Sequence, residues 1–306
     1  MSLRRYVASG RGGPRAIVAV LGASLAAGIA VGIVEGLLDG WFSLLVLFPL
    51  LIGLAAGGLA SWGVARFRLR APLVALLLGT MGGGAGYVTT HAVNYLQFRS
   101  AVEAAMRHDS PTGVDLDAAF DEALREKTGA AGFRGYLALN AEQGVSIKRM
   151  GASDKGVALT GIGAWIVWLC ELLIAAATAA VLAFSRAREP FCEGCEQWFG
   201  PVKHVAAGGN GGKPARKELI AALDAGDVVR GAAVFATPPT AKGAFTLSAS
   251  SCPRCQMDAH CTLKQVVAAR RGQARFKKLE SWLMTRAELE QLGDAIGRAQ
   301  GKPAST

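Results

Sequence analysis

Four cysteines carry the clearest chemistry in this chain. Cys192-Glu193-Gly194-Cys195 and Cys252-Pro253-Arg254-Cys255 are two C-x-x-C turns. Such a turn lets two thiolates grip one ion at about 2.3 Å while turn amides donate to the sulfurs. Two turns brought together make a tetrahedral four-thiolate site. All four positions are then protein ligands, which suits structural zinc and leaves no open position for catalysis. The stretch between the turns is longer than in a minimal zinc ribbon. A helix and strands fit inside it, so the expectation is a ribbon with an insertion. The same residues could serve instead as a redox dithiol, although a thioredoxin-like βαβ context is missing. Two unrelated cysteine pairs are the bland alternative.

Other candidates stand near these. Cys261 alternates in phase with Leu263 and Val267, which suggests a buried free thiol, with a ligand role left open. His260 should point the other way, and His204 reads as a solvated loop residue. Glu171 is a separate point of interest. It sits near the middle of an apolar run, Val157 to Phe184, that has no Lys or Arg and no other acid. A charge at a bilayer centre costs at least ~2.5 kcal/mol on insertion scales, so Glu171 is a candidate functional group. His91, Thr89 and Thr90 are its candidate partners. The alternative is a neutral Glu that hydrogen-bonds a neighbouring helix as structural glue.

These residues need a frame. The chain has 306 residues and a net charge of +10; 51% are apolar, only 18% are charged, and 39 are Gly. Length alone suggests about two domains. The low charge and high Gly content fit a multi-span membrane protein. Four apolar runs can each supply the roughly 20 residues that cross a hydrocarbon core: Ala16 to Leu38, Trp41 to Gly63, Pro72 to Val93 and Val157 to Phe184. Trp41-Phe42 reads as an interfacial anchor. No cleavable signal peptide is evident. Glycines recur every fourth residue at Gly28, Gly32 and Gly36, at Gly53 and Gly57, and at Gly79, Gly83 and Gly82, Gly86. Such ridges let helices approach closely, within one chain or across a homo-oligomer.

Orientation follows from Lys and Arg. Arg4, Arg5, Arg11 and Arg15 precede span one, Arg66, Arg68 and Arg70 follow span two, and Arg186 and Arg188 follow span four. The turn after span one carries Glu35 and Asp39 instead. Residues 94–156 hold eight basic and nine acidic residues. The positive-inside rule then places both termini in the cytosol and residues 94–156 outside. The cysteine turns would thus lie in a reducing compartment, where a metal suits them better than disulfides.

The expected division is 1–93 for three spans with a basic tail, 94–156 for an extracytoplasmic insert, 157–184 for span four and 185–306 for a cytosolic domain. In the insert, Asn94 to Arg107 could continue span three. Asp115 to Lys127 reads as an amphipathic helix, and Gly129 to Arg149 as richer in Gly and β-formers, Phe133, Tyr136, Val145 and Ile147 among them. In the tail, Gly208 to Gly212 reads as a loop and Ala215–Ala225 as a helix opened by Pro214. Strands are expected at Val228–Ala236, Ala244–Ser250, Ala259–Ala268 and Arg275–Leu283, the first two around a Pro238-Pro239 turn. Thr285 and Glu288 form a capping box for a last helix. Arg270, Arg271, Arg275, Lys277 and Lys278 make a basic cluster. It suits a solvated surface first and anionic lipid second; nucleic acid is not favoured, because only Phe276 and Trp282 could stack.

The chain carries no P-loop, G-x-S-x-G, H-E-x-x-H or dinucleotide fingerprint. The run Phe191 to Phe199 with Cys252-Pro253-Arg254-Cys255 resembles a zinc-ribbon module. The stretch Phe133-Arg134-Gly135-Tyr136-Leu137, then Ala141 to Ile147, Gly163-Ala164-Trp165, Trp168 and Glu171-Leu172, resembles a set of bacterial four-span membrane proteins with a C-terminal zinc-ribbon-like domain. That resemblance runs from about residue 130 onward and implies an architecture, not an activity. The expected fold is a membrane all-α four-helix bundle plus a cytosolic α+β zinc-ribbon-like domain. The expected function is that of a non-enzymatic scaffold, adaptor or sensor with a structural zinc, the bilayer around it and a protein partner at its cytosolic domain. The alternatives are a small-solute or proton transporter using Glu171 and a thiol redox device.

Overall fold

The computed structural model describes residues 3–38, 46–109, 115–147, 157–209, 211–238, 243–255, 258–270 and 273–301. The chain divides into two compact units, Gly10–Arg188 on one hand and Met1–Ser9 with Glu189–Thr306 on the other. The N-terminal segment therefore groups with the C-terminal region and not with the spans that follow it.

Gly10–Arg188 is helical. Its long helices are α1 (Pro14–Leu38), α2 (Leu47–Arg66), α3 (Pro72–Asp109) and α6 (Ile162–Ala187), with two short ones, α4 (Leu116–Thr128) and α5 (Gly132–Gln143), between α3 and α6. The four long helices are long and apolar enough to cross a membrane. Their packing is inverted relative to a water-soluble bundle. The fully buried positions are small or medium, such as Ser24, Ala56, Ala60, Ala164, Ala175, Ala179 and Ile52, while Leu51, Trp62, Leu73, Leu77, Trp165, Leu169, Leu173 and Val181 lie exposed. Large apolar side chains facing outward and small ones inward is the pattern of helices solvated by lipid.

The four-residue glycine ridges supply the interior contacts within this chain. A Cβ on Gly28 would come 2.1 Å from the Gly82 carbonyl oxygen, and one on Gly32 2.2 Å from that of Gly86, so α1 and α3 meet backbone to backbone. Gly53 of α2 and Gly79 and Gly83 of α3 meet α6 in the same way, at the carbonyls of Ala175 and Ala179. Ser24, fully buried on α1, donates from its hydroxyl to the Ala56 carbonyl of α2 at 3.3 Å.

The boundaries differ from the sequence expectation at several places. The second helix runs to Arg66 and its described part starts at Leu47, while Trp41 and Phe42 lie outside the described residues. The fourth starts at Ile162 and not at Val157. Val157–Leu159 is a short strand, β3, paired antiparallel with β2 (Val145–Ile147). Gly161, at φ 54°, turns the chain from that strand into the helix, and its N–H donates to the Ala141 carbonyl. Within the Gly129–Arg149 stretch, Gly132–Gln143 is helix, with Phe133 and Tyr136 in it, and Val145–Ile147 is strand; Arg149 lies outside the described residues. Phe133 and Tyr136, spaced three apart, pack with Phe120 of α4 against Tyr95 and Phe98 of α3, ring centroids 5.4 to 6.4 Å apart. That aromatic cluster overrides local β-propensity. It also holds the α4–α5 pair on the extension of α3 beyond Val93, which is continuous helix as expected. Asp115 caps α4, and Gly129 ends it in the left-handed region.

The second unit is built on a five-stranded antiparallel sheet of order β1-β9-β8-β7-β6. Its strands are β1 (Arg4–Arg5), β6 (Lys203–Gly208), β7 (Phe245–Ser251), β8 (Asp258–Arg270) and β9 (Gln273–Thr285). A small hairpin, β4 (Phe191–Cys192) with β5 (Gln197–Trp198), precedes them. Helices α7 (Lys213–Ala225), α8 (Val228–Ala233) and α9 (Arg286–Ala299) cover one face. There Leu219, Leu223, Phe235, Leu292 and Ile296 pack on Phe245, Leu247, Cys261, Leu263 and Trp282. The expected strand at Val228–Ala236 is instead α8 followed by a 3-10 turn, Val234–Ala236. Gly226 closes α7 at φ 72° and the Asp227 carboxylate accepts from the Arg230 N–H, so the chain re-enters helix at once despite its two valines. Strand β6 had no counterpart in the sequence reading. The capping box at Thr285 and Glu288 is present. Pro239, Asn210 and Arg271 lie outside the described residues, while Arg275, Lys277 and Lys278 are exposed on β9.

Strand β1 pairs Arg4 with Leu283 and Arg5 with Trp282. Asp224, at the end of α7, accepts from the Trp282 indole N–H at 2.8 Å and from the Arg5 guanidinium at 2.6 Å. The Arg5 hydrogen bond, helped by that of Trp282, holds the Asp224 carboxyl below its ordinary range.

Two outcomes follow for the full chain in detergent. Gly28→Val should cost about 3 kcal/mol or more, because backbone cannot yield to the new methyls, whereas Gly22→Val, where a Cβ meets nothing within 4 Å, should leave the thermal midpoint within about 2 °C. A carboxyl whose folded pKa is depressed stabilises above its unfolded pKa of about 3.9 and loses that contribution as pH falls. Asp224→Asn should therefore lower the thermal midpoint at pH 7, with the gap to wild type closing below about pH 3.

Candidate metal centre and a polar cavity in the helical unit

The first cysteine turn is the loop of the β4–β5 hairpin. Phe191, buried, stacks edge-on against Trp198 at 5.0 Å and fixes the hairpin's base. Glu196, just past Cys195, takes φ 51° to bring the chain back into β5. The second turn joins β7 to β8, and the Cys252 N–H donates to the Asp258 carbonyl at 3.0 Å. The Gly200 N–H donates to the Ser251 carbonyl, clipping the first hairpin to the end of β7.

This brings all four cysteines together. Sγ atoms of Cys192, Cys195, Cys252 and Cys255 lie within 4.8 Å of one another, and they are the one such converging group of Cys, His, Asp or Glu among the described residues. A four-thiolate tetrahedron with 2.3 Å bonds needs sulfurs about 3.8 Å apart, so the set fits one metal ion with little movement. Cys192 and Cys252 are buried; Cys195 and Cys255 are partly exposed. The Cys192 thiol donates to the Asp258 carboxylate at 3.4 Å. Burial above all pushes the Cys192 thiol up from its ordinary range, and a hydrogen bond with Cys255 pushes up that of Cys195.

Cys261 and His260 stand apart from the cluster. Cys261 is fully buried beside Leu263 in the helix-covered core, as alternation predicts, and burial pushes its thiol up to about 12. Val267 leaves the pattern and is 41% exposed, because the β8–β9 register shifts between Val266 and Ala268. His260 points to the other face, edge-on to Tyr6 at 5.0 Å. Burial, with Lys278 adding to it, lowers its pKa to about 4, so the imidazole is neutral at pH 7. His204 is exposed on β6.

Sequence reasoning missed Tyr6. Its hydroxyl donates to the Glu189 carbonyl at 3.4 Å and accepts from the Phe191 N–H at 3.2 Å. The N-terminal segment is thereby tied to the strand that leads into Cys192. No local signal marks a pair of residues so far apart in sequence.

In the helical unit, Glu171 and His91 line one cavity of about 200 Å³. The Tyr87 hydroxyl donates to Glu171 Oε2 at 2.8 Å. The His91 ring sits edge-on to Tyr87 at 4.8 Å and to Trp168 at 5.5 Å. Of the expected partners, Thr89 bonds back to the Ala85 carbonyl, and the Thr90 hydroxyl lies 3.3 Å from Glu35 Oε2 and equally far from the Gly32 and Gly86 carbonyls. Glu35 was expected in a turn; it is a buried residue of α1 on the same cavity. A signal for Tyr87 and His91 did exist. They continue the four-residue row Gly79, Gly83 along the α3 surface that meets α6.

Comparisons with protein-family models, with curated proteins and with solved structures give no match.

Cys261→Ala should leave bound metal per chain unchanged while costing about 1 kcal/mol through a small core cavity. Cys255→Ala should lose the metal, as read by elemental analysis of both purified proteins.

Proposed function

We propose that this protein is an integral membrane protein of the bacterial inner (plasma) membrane, with both termini cytosolic. Its C-terminal unit, zinc-ribbon-like in plan, holds one structural zinc and serves as a non-enzymatic scaffold, adaptor or sensor that docks a protein partner. The observation that carries this reading is the convergence of the four cysteine sulfurs within 4.8 Å. Four thiolates complete the shell of zinc and leave no position for substrate. Cys192, Cys195, Cys252 and Cys255 would hold the ion, which would cross-link the β4–β5 hairpin to the β7–β8 turn and order the domain around them.

The pairing of β1 with β9 supports one compartment for the N-terminal segment and the C-terminal unit, as an even number of spans requires. The arginines before α1, after α2 and after α6 favour the cytosol for that compartment. The cysteine turns sit among antiparallel strands and not in a βαβ unit, which speaks against a thioredoxin-like redox device. The likeness to bacterial four-span proteins belongs to the same proposal.

Metal analysis of the full chain, purified in detergent, tests it. About one zinc per chain is expected, with Cys252→Ser losing both the metal and the protease resistance of residues beyond 188. A metal-free wild type with four reactive thiols that cycle through a Cys192–Cys195 disulfide would replace zinc with redox chemistry.

A further inference from the structure

The cavity lined by α1, α2, α3, α5, α6 and the start of β2 has a composition that structural glue does not need. Two carboxylates from different helices, Glu35 and Glu171, line it together with aromatic rings of Phe48, Tyr87, Tyr136 and Trp168. No Lys or Arg is among its described lining residues. Glu171 lies nine residues inside the N-terminal end of α6, about 14 Å along the helix axis, and so within a hydrocarbon core roughly 30 Å thick. On the membrane reading proposed above, an acid at that depth marks a site for a cation or a proton, and Glu35, in the last turn of α1, joins it on the cavity wall.

The kind of cation follows from the shape. Glu35, His91 and Glu171 do not form a converging donor group of the kind the four cysteines form, so the site is not preformed for a metal ion. The cavity, at about 200 Å³, is several times the ~30 Å³ share of one liquid water molecule. A metal ion there would meet few converging protein donors and would have to keep most of its water. Aromatic faces beside carboxylates recognise ammonium groups that carry apolar substituents, through cation–π attraction and charge together. The groups are held in place beforehand. The Tyr87 hydroxyl donates to the Glu171 carboxylate at 2.8 Å, the Thr90 hydroxyl lies within 3.3 Å of Glu35, and the His91 ring is edge-on to those of Tyr87 and Trp168. Preorganisation of this kind lowers the entropic cost of binding.

We propose that this cavity binds a small organic cation, an alkylated or quaternary ammonium, among the carboxylates of Glu35 and Glu171 and the aromatic side chains that line it with them. The site is independent of the cysteine centre and stands or falls without it.

The test is calorimetric titration of the full chain in lipid nanodiscs with tetramethylammonium chloride and methylammonium chloride, against sodium chloride and magnesium chloride at matched ionic strength. Saturable binding of an ammonium probe is expected. Glu171→Gln and Glu35→Gln, which keep side-chain shape, should each weaken it at least tenfold. Trp168→Leu should weaken it several-fold with both carboxylates intact. Glu126→Gln, on the exposed side of α4, should bind as wild type does. Circular dichroism of each variant checks that the helices remain. Three results would overturn the proposal: a folded wild type that binds neither ammonium probe saturably, unchanged affinity in both Gln variants, or saturable magnesium binding in place of ammonium binding.

Discussion

Helix–helix contact without side chains is the constraint on which the helical unit depends. Along α1–α3 the backbones meet at Gly28 and Gly82 and at Gly32 and Gly86, and along α3–α6 at Gly83 and Ala175. In a membrane, apolar burial would supply little drive between helices that lipid solvates equally well, and close packing would have to hold them. Such closeness needs a glycine on one side of each contact; the facing side chain can be as large as Val20 at Gly63 or Ile52 at Gly86. Larger polar groups follow where the rows of small residues end. The row Gly79, Gly83 continues into Tyr87 and His91, Gly82, Gly86 into Thr90, and Ala179, Ala175 into Glu171. The cavity with its two carboxylates lies at that end. Seam and site are thus two parts of one pattern.

The sheet unit is organised by contacts between distant parts of the chain. Its first strand comes from Arg4–Arg5 and pairs with β9. Asp224 ties that strand, α7 and Trp282 together, and Tyr6 ties the N-terminal segment to the entry of the first cysteine turn. The two cysteine turns sit at the loop of one hairpin and the link between two strands of the main sheet. Sheet register and the Gly200–Ser251 hydrogen bond decide their proximity. Cys261, two-residue alternation away from that end, falls into the core instead.

Much of this was legible in the residues. Four apolar runs gave four long helices, because hydrophobic length is a local property. Asp115, Pro214 and the Thr285–Glu288 box marked helix starts, because capping acts over three or four residues. The four cysteines were legible as one set from their spacing. Phe133, Tyr136, Val228 and Val229 misled, because aromatic and β-branched residues report a half-buried environment rather than an intrinsic strand. Phe133 and Tyr136 found theirs against Tyr95 and Phe98 on a helix. Val228 and Val229 lie in the first turn that Asp227 caps.

The sequence by itself determined the number of long apolar helices, their glycine ridges and the donor chemistry of the cysteine turns. Each depends on residue type and on spacing within a few turns of chain. Tertiary structure alone decided which ridges face each other, that Glu35 shares a cavity with Glu171, that Tyr87 is a partner of that carboxylate, and that the N-terminal residues complete the sheet. Those are meetings between groups dozens to hundreds of residues apart. Their distances are set by packing and register, which no local pattern encodes.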